Sequence, residues 1–354
     1  TFQVSMLNLY RLPWEDEDML TADFRIVNTD EKPLSLPQVA GQFKLDGHID
    51  VAANAVITDR AIALQPREEA TVHLIGKIPY TYSFSEVDIL LQERAVSGEA
   101  EQFRDVFNFR HNSDFTTVRY VREGQPFVLD KTGRHYDISV YDVSRFESNS
   151  SDIYSVLLAF DNKESRLSEV PELTAQLELA DGTVYPVNLA KPQVKTAPGG
   201  LALVEVSAAI PKRADTTGAK VLLGEAIAEG APAQSGQPAD SFVNPVAFAA
   251  TESEDEVSDS LEDIEIAPFA LTLDNVRTPY IYYNEVTFKF DYELKKDLLI
   301  DADRSNDKYR IELADADGEI WLERTFALEN PGEDPTQMFF ELGSDSIEIV
   351  EQFD

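Results

Sequence analysis

Two short stretches share a pattern that decides how the rest of the chain is interpreted. "NTDEKPLSLP" occupies residues 28–37, and "NKESRLSEVP" occupies residues 162–171. Each follows an apolar run, begins with Asn, continues as a polar and charged loop, and ends with an apolar residue before Pro. The pair raises the question of whether one β-rich segment is present twice.

The similarity extends in both directions with nearly constant spacing. The matching blocks are residues 4–12 and 138–146, 41–47 and 175–182, 64–79 and 196–211, and 87–93 and 219–225. Asn28 and Asn162 are 134 positions apart, and Glu93 and Glu225 are 132 apart, so one two-residue difference accounts for the alignment. Five blocks matching in order indicate an internal duplication.

A fainter third copy is predicted near the end of the chain. "LTLDNVR" (residues 271–277) and "VTFKFDYEL" (residues 286–294) take the places of the first two strands. "YRIELADADGEIWLERTF" (residues 309–326) follows as a hairpin pattern, but the Asn-loop-Pro signature is missing.

Residue alternation within each copy predicts β-strands rather than helices. Segments such as "DISVYDV" and "LALVEVSAAI" alternate apolar and polar residues, which is typical of half-buried strands. "DG" at residues 181–182 predicts a hairpin turn, and Pro186 predicts an edge or a bulge. Residues 84–95 also fit helical spacing, but their repeat partner contains Gly218 and Gly224. About six or seven short strands per copy predict an all-β antiparallel sandwich.

These patterns predict five regions. They are a first sandwich at residues 1–95, a connector at 96–124, a second sandwich at 125–228, an acidic Pro/Gly/Ser/Ala-rich linker at 229–266, and a third sandwich at 267–354. Composition favours an extended, solvated linker. The alternative is an ordered strap, in which the apolar segment 242–250 docks on a neighbouring domain or subunit.

Composition excludes several classes of partner and chemistry. The chain has 354 residues, a formal net charge of -35 and no cysteine. Such acidity disfavours nucleic acid and anionic lipid as partners and favours cations, Ca²⁺ above all. Without cysteine there are no disulfides or thiolate sites. No apolar run approaches the ~20 residues of a transmembrane helix. Because the chain begins with Thr1, we expect that it comes from a longer or processed precursor.

The repeated residues resemble the tandem immunoglobulin-like domains of Gram-positive cell-surface and secreted proteins. The shared features are the Asn that ends a strand, the Pro-containing loop before an alternating strand, and the final Ile-Pro. They fall at Asn28, Pro66, Pro79, Asn162, Pro198, Gly199 and Pro211. The resemblance implies an immunoglobulin-like sandwich and brings no catalytic residues with it, since fold similarity alone does not define function.

Motifs for catalysis are absent from the sequence. The four histidines, His48, His73, His111 and His135, have no spacing typical of a ligand pair, and we expect each at the surface or half-buried. The sequence also lacks the nucleophile-elbow, P-loop and dinucleotide-binding patterns. We therefore expect no enzymatic activity.

Two acidic loops are candidate calcium sites. Their oxygen-bearing residues alternate with others, so that the skipped side chains point away from a bound ion. They are Asp301, Asp303, Asn306 and Asp307 in the first loop, and Asp315, Asp317 and Glu319 in the second. Neither loop matches a complete EF-hand, and the alternative, which acidic composition favours, is a simple solvated hairpin tip.

A row of tyrosines is a candidate ligand-binding surface. Tyr280, Tyr282 and Tyr283 precede an alternating Phe/Tyr strand. Adjacent residues of a strand point to opposite faces, so either Tyr282 or Tyr283 is expected to be exposed. An exposed Tyr stacks on a sugar or a partner protein, although both can also belong to a core.

Taken together, these features favour a non-catalytic extracellular or cell-surface structural protein, such as an S-layer, sheath, fibre or stalk subunit. Its expected partners are other copies of itself or other surface components, with Ca²⁺ strengthening the assembly. The alternatives are an adhesion module that binds a glycan or protein, and an accessory region of a secreted enzyme.

Overall fold

The protein is built from strands, which confirms the all-β prediction. The computed structural model describes residues 1–36, 38–59, 61–97, 100–131, 133–147, 150–252, 260–282, 285–303, 308–314, 320–327 and 343–352, and none of these is helical. Residues 1–111 contain β1 (Phe2–Trp14), β2 (Glu17–Asn28), β3 (Leu34–Ser35), β4 (Val39–Leu45), β5 (Ile49–Ile57), β6 (Ala63–Leu64), β7 (Glu69–Pro79), β8 (Val87–Ser97) and β9 (Ala100–His111).

The middle and end of the chain continue in the same way. Residues 112–249 contain β10 (Arg119–Val121), β11 (Phe127–Lys131), β12 (Arg134–Glu147), β13 (Asp152–Asn162), β14 (Leu173–Glu178), β15 (Val184–Pro186), β16 (Asn188–Ala190), β17 (Leu201–Ile210), β18 (Lys220–Ala228), β19 (Ala231–Pro232) and β20 (Ser241–Ala249). The remainder contains β21 (Ile264–Ile266), β22 (Phe269–Tyr282), β23 (Glu285–Lys296), β24 (Ile300–Ala302), β25 (Lys308–Ala314), β26 (Ile320–Ala327) and β27 (Gly343–Gln352).

The first repeat forms one continuous seven-stranded sheet in the order β1-β2-β7-β5-β4-β8-β9. Strand β5 joins its two halves, because Ile49–Ala53 pair with β4 and Asn54–Ile57 pair with β7. The sheet therefore curls over itself as a half-barrel.

The second repeat has the same neighbours but is divided between two sheets, whose orders are β10-β20-β18-β14-β15 and β11-β12-β13-β17-β16. The place of β5 is taken by β15 and β16, which pair with β14 and β17 respectively. Pro186 is the last residue of β15 and removes a backbone donor there, so the strand changes sheets at this point. The predicted edge position of Pro186 is confirmed.

Each repeat has a seventh strand that sequence reasoning placed elsewhere. Strand β9 pairs with β8 inside the predicted connector, and β20 pairs with β18 inside the predicted linker. Residues 242–250, predicted to be part of a solvated linker or a docking strap, instead belong almost entirely to β20, which is buried along nearly its whole length and pairs with β18. Residues 253–259 of the predicted linker lie outside the described residues. Residues 84–95 are not helical, and most of them belong to β8.

Spatial contacts divide the chain into two compact units. The first comprises Thr1–Val156, Pro171–Leu189 and Val206–Thr251, and the second comprises Leu157–Val170, Ala190–Glu205 and Glu252–Asp354.

Within the first unit, the sheet that contains β2 and β7 is buried on both faces. Even-numbered residues of these strands, such as Phe24 and Leu74, pack into a core with β4 and β8. Odd-numbered residues, such as Met19 and Ile75, pack with Leu222 and other residues of β18 and β20 in a second core. Because side chains alternate along a strand, one central layer serves two cores.

Within the second unit, β21, β22, β23 and β27 form a sheet, and β25 and β26 form a hairpin. Short strand β24 lies parallel to the start of β17, and the Leu201 amide donates to the Leu299 carbonyl at 2.8 Å. A Cβ at Gly200 would lie only 3.0 Å from that carbonyl oxygen, so glycine is what allows this close approach.

Candidate functional site

The predicted calcium ligands fall largely outside the described residues. Asp301 lies within β24 and Asp303 just beyond it, both half-buried. Asn306, Asp307, Asp315, Asp317 and Glu319 lie outside the described part of the chain. Within the described residues, no group of three acidic or histidine side chains is arranged to hold a metal ion. Calcium binding by the two loops stays a prediction.

The tyrosine row is located only at the level of the backbone. Tyr280 and Tyr282 belong to β22 and lie opposite Thr287 and Glu285 of β23, respectively. Tyr283 lies outside the described residues. The binding role of this row also stays a prediction.

The opening Asn of each repeat organises a buried corner at the end of its strand. Asn28 Nδ2 donates to the carbonyls of Lys32 and Leu64, both at 2.9 Å, and its Oδ1 accepts from the Asp30 amide. Its backbone amide donates to the Glu68 carbonyl at 3.0 Å. The side chain thereby satisfies backbone groups on both sides of the corner.

Asn162 repeats this arrangement at the corresponding positions. Its Nδ2 donates to the carbonyls of Arg166 and Thr196 at 3.0 and 2.9 Å, and its Oδ1 accepts from the Glu164 amide. Its backbone amide donates to the Gly200 carbonyl at 2.9 Å. Both Asn side chains are fully buried, so these bonds are shielded from water.

The Pro-containing loop closes each corner with one left-handed residue. Arg67 has a φ of 69° and Gly199 a φ of 71°, and their amides donate to the carbonyls of Asn28 and Asn162 at 2.8 and 2.9 Å. The second repeat has Gly at this position, where a left-handed conformation causes no strain.

A largely buried set of charged and polar side chains in the first unit surrounds Glu225, on β18. Its carboxylate accepts from Arg134 Nη1 at 2.7 Å, Lys131 Nζ at 3.4 Å and Asn244 Nδ2 at 2.8 Å. Arg134 and Lys131 also donate to the carbonyl and the hydroxyl of Thr58, each at 3.0 Å. We call Thr58, Lys131, Arg134, Glu225 and Asn244 the ionic cluster.

Local geometry explains how the cluster is positioned. The β18–β20 register shifts between Leu223 and Glu225, which is a bulge. Asn244 occupies the bulge opposite with a φ of 54°, a conformation that Asn tolerates better than most residues. The bulge brings the Asn244 amide against the Glu225 carboxylate.

Burial and charge act in opposite directions on Glu225. Burial alone would raise the pKa of this carboxyl group, but the charges of Lys131 and Arg134 and the hydrogen bond from Arg134 outweigh it, so the pKa lies below its ordinary value. Glu225 therefore stays ionised and is stabilised by the two neighbouring cations.

A second buried polar pair lies on the face of β2 and β7 that packs against β18 and β20. His73 Nδ1 is 2.7 Å from Asp23 Oδ1, and Asn8 Nδ2 donates to Asp23 Oδ2 at 3.1 Å. Burial, with a contribution from the Asp23 charge, raises the pKa of Tyr10 to about 12. His73 was expected at the surface or half-buried; that expectation was wrong, because the face of β7 that carries it is covered.

Apolar residues enclose this polar set. The rings of Trp14 and Phe242 lie 5.7 Å apart, and Gly224 leaves room for Phe242, whose ring would be 2.4 Å from a Cβ there. Removing one partner from a buried ion pair leaves the other charge uncompensated, so residues of such pairs are sensitive to substitution.

Sequence reasoning missed the cluster, although one pattern pointed to it. Glu225 stands inside "KVLLGEAIA", an otherwise almost continuous apolar strand, which is typical of a strand buried on both faces. A carboxylate at such a position requires a cationic partner. The identity of that partner, more than ninety positions away, was not readable from the sequence.

No family model matches the chain, and the search of curated proteins found no significant match either. Among the described residues, no helix has the length and apolarity needed to cross a bilayer.

Proposed function

We propose that the chain is a non-catalytic structural subunit of an extracellular or cell-surface assembly of S-layer, sheath, fibre or stalk type. The observation that carries this proposal is the second core. There, residues of the first repeat pack on β18 and β20 and are joined across the contact by the ionic cluster. Such a contact fixes β18 and β20 on the strands of the first repeat within the first unit, which suits a protein whose work is mechanical.

The strand neighbours of both repeats support an immunoglobulin-like assignment. Strands β1, β2 and β7 adjoin one another, as do β4, β8 and β9, and β5 lies between the two sets. In immunoglobulin-like sandwiches the corresponding strands form two facing sheets with the same neighbours. We place the chain with the tandem immunoglobulin-like proteins of Gram-positive surfaces as part of this proposal.

The charged residues gathered by the fold support a structural rather than a catalytic role. Lys131, Arg134 and Glu225 are bonded to one another, and His73 is bonded to Asp23. A catalytic group must reach substrate, whereas these groups lie among strands and are bonded to one another.

Calcium enters the proposal as a bridging cation. A chain with a net charge of -35 repels its copies at close range, and divalent cations bound to carboxylates relieve that repulsion. The end of β24, with Asp301 in the strand and Asp303 just beyond it, is the proposed site.

Assembly is tested by sedimentation velocity and negative-stain electron microscopy over a concentration series, with Ca²⁺ or with a chelator. We expect ordered oligomers that grow with concentration and are larger with Ca²⁺. A species that stays monomeric under all conditions contradicts the proposal. Saturable binding to a glycan or host-protein array, without assembly, would instead identify an adhesion module.

The calcium site is tested with a matched pair of variants. Asp301→Asn with Asp303→Asn removes two charges from the proposed site, and Glu15→Gln with Asp16→Asn removes two from an exposed turn of the first repeat. Only the first pair should abolish the Ca²⁺ response. Equal effects would show that calcium acts by general charge screening.

A further inference from the structure

The edge of the first repeat differs from the matching edge of the second. Strand β20 is covered on its outer side by β10, which pairs with it in parallel through Val246, Ala247 and Phe248. Strand β9 occupies the corresponding place in the first repeat and is the last strand of its sheet. Among the described residues, the outer backbone groups of β9 thus have no strand beside them.

Register identifies the matching residues. Phe109 lies opposite Ile89, and Phe248 lies opposite Val221, the repeat counterpart of Ile89. Phe107, Asn108 and Phe109 therefore correspond to Val246, Ala247 and Phe248.

Burial differs sharply between the two sets. Val246 and Phe248 are 3% and 0% exposed, whereas Phe107 and Phe109 are only half-buried and Asn108 is exposed. Phe109 packs inward on Phe24 at 5.0 Å and on Phe107 at 6.2 Å, so the rings extend the first core to the sheet edge. An exposed edge with apolar side chains is a template for an added strand.

The distribution of charge favours a second copy of the chain as the partner of β9. Most of the molecule repels a second copy, because the net charge is -35. Strand β9 carries two arginines and two acidic residues, so its formal charge is balanced, in contrast to the rest of the chain. At this edge two copies can approach without the repulsion that keeps them apart elsewhere.

We propose that β9 pairs with β9 of a second copy, antiparallel and about a two-fold axis at Asn108. This register places Phe107 of one copy opposite Phe109 of the other, on the face where both rings already continue the core. It places Asn108 opposite itself and puts no like charges opposite each other between Phe107 and Phe109. Cross-strand aromatic pairs of this kind stabilise sheets. The inference deepens the proposed assembly role and rests on it.

A single-cysteine experiment tests the register, since the chain has no cysteine of its own. Directly opposite residues of an antiparallel pair have Cα atoms about 4.5–5.5 Å apart, which is within the range that a disulfide spans. Asn108→Cys should give a disulfide-linked dimer under mild oxidation. Asn112→Cys, four residues away and also exposed, should not, because the two copies of residue 112 would be roughly 25 Å apart. Equal cross-linking of both variants overturns the proposed register.

A charge experiment tests the contact itself. Asn108→Lys places two ammonium groups opposite each other at the axis and should weaken dimerisation about tenfold or more in sedimentation equilibrium. Asn112→Lys adds the same charge away from the axis and should leave dimerisation unchanged. Far-ultraviolet circular dichroism checks that both variants fold.

The outcomes separate this inference from the proposed function. Larger assemblies that persist in Asn108→Lys overturn the β9 contact and leave the assembly role standing. Dimers that form through β9 but never grow contradict the assembly role and leave the contact standing. A wild-type protein that is monomeric throughout overturns both.

Discussion

The first and second repeats agree where the chain turns a corner and differ where their sheets end. Asn28 and Asn162 make the same side-chain and backbone hydrogen bonds at matching positions. The edges differ: among the described strands β9 ends its sheet, whereas β20 is covered by β10. Local bonding within a corner preserves the fold of each copy, whereas the edges and faces are free to acquire different neighbours.

Glu93 and Glu225 show the same divergence at a single matching position. Glu93 is exposed, whereas Glu225 is buried against Lys131 and Arg134. One sequence position thus serves as a solvated surface residue in one copy and as the centre of an ionic cluster in the other.

The largest expected change in stability comes from removing the charge at the buried position, Glu225, rather than at the exposed one, Glu93. Glu225→Gln removes the negative charge bonded to the buried Arg134 and the half-buried Lys131, and we expect it to lower the free energy of unfolding by about 3–5 kcal/mol. Glu93→Gln should change it by less than about 0.5 kcal/mol, because it alters only a solvated side chain. Urea unfolding of both variants measures the difference. Similar losses would show that burial does not distinguish the two positions.

The corner asparagines come next. Replacing Asn162 with Ala leaves buried backbone carbonyls without donors, which costs about 1–3 kcal/mol for each group left unpaired. Asn28→Ala should cost a comparable amount, because its bonds are nearly the same. Asn112→Ala, at an exposed site, serves as the control in thermal unfolding. A large loss at only one corner would break the equivalence of the repeats.

Gly200 and its counterpart in the first repeat allow a comparison of what lies beside the Pro-containing loop of each repeat. The counterpart in the first repeat is Glu68, and a Cβ at Gly200 would lie 3.0 Å from the carbonyl oxygen of Leu299. Gly200→Ala should displace β24 at a cost of about 1–3 kcal/mol and increase amide hydrogen exchange at residues 300–302. Glu68→Ala should leave exchange there unchanged. Unaltered exchange in Gly200→Ala would show that β24 tolerates the added methyl group.

Lowering the pH is expected to change the stability least, when the change is counted per pH unit. The pKa of Glu225 is lower in the folded than in the unfolded protein. The stabilisation that its charge provides is therefore fully present above the ordinary pKa of 4.5 and is lost as the pH falls through the lower pKa of the folded state. One carboxyl group changes stability by at most about 1.4 kcal/mol per pH unit. Fluorescence of Trp14 in a Trp321→Phe background reports on the second core. The acid-induced change should be shallower in Glu225→Gln, and an identical profile contradicts the role assigned to Glu225.

The sequence was sufficient for the local parts of this structure. Alternation predicted the strands, and the spacing of Asn28 and Asn162 predicted a repeated corner, because both depend on neighbouring residues. Pro186 was correctly expected at an edge for the same reason.

The parts that depend on distant partners were not predicted. Strand β9 looked like a connector because an edge strand is polar on its exposed side. Strand β20 was assigned to a linker because acidic and Pro/Gly-rich segments surround it. The sequence shows that β18 is almost entirely apolar. It does not show that Lys131 and Arg134 form ion pairs with Glu225, because these contacts form only when strands distant in sequence come together.

The double burial of the central layer separates the unit of duplication from the unit of folding. A fragment ending at His111 would contain every strand of the first repeat, yet it would leave Trp14, Met19 and Ile75 facing water and Asp23 and His73 on the same uncovered face. The gene segment that was copied is therefore shorter than the smallest piece that can be excised intact. Any division of this protein for separate study has to keep β18 and β20 attached to the strands that they cover.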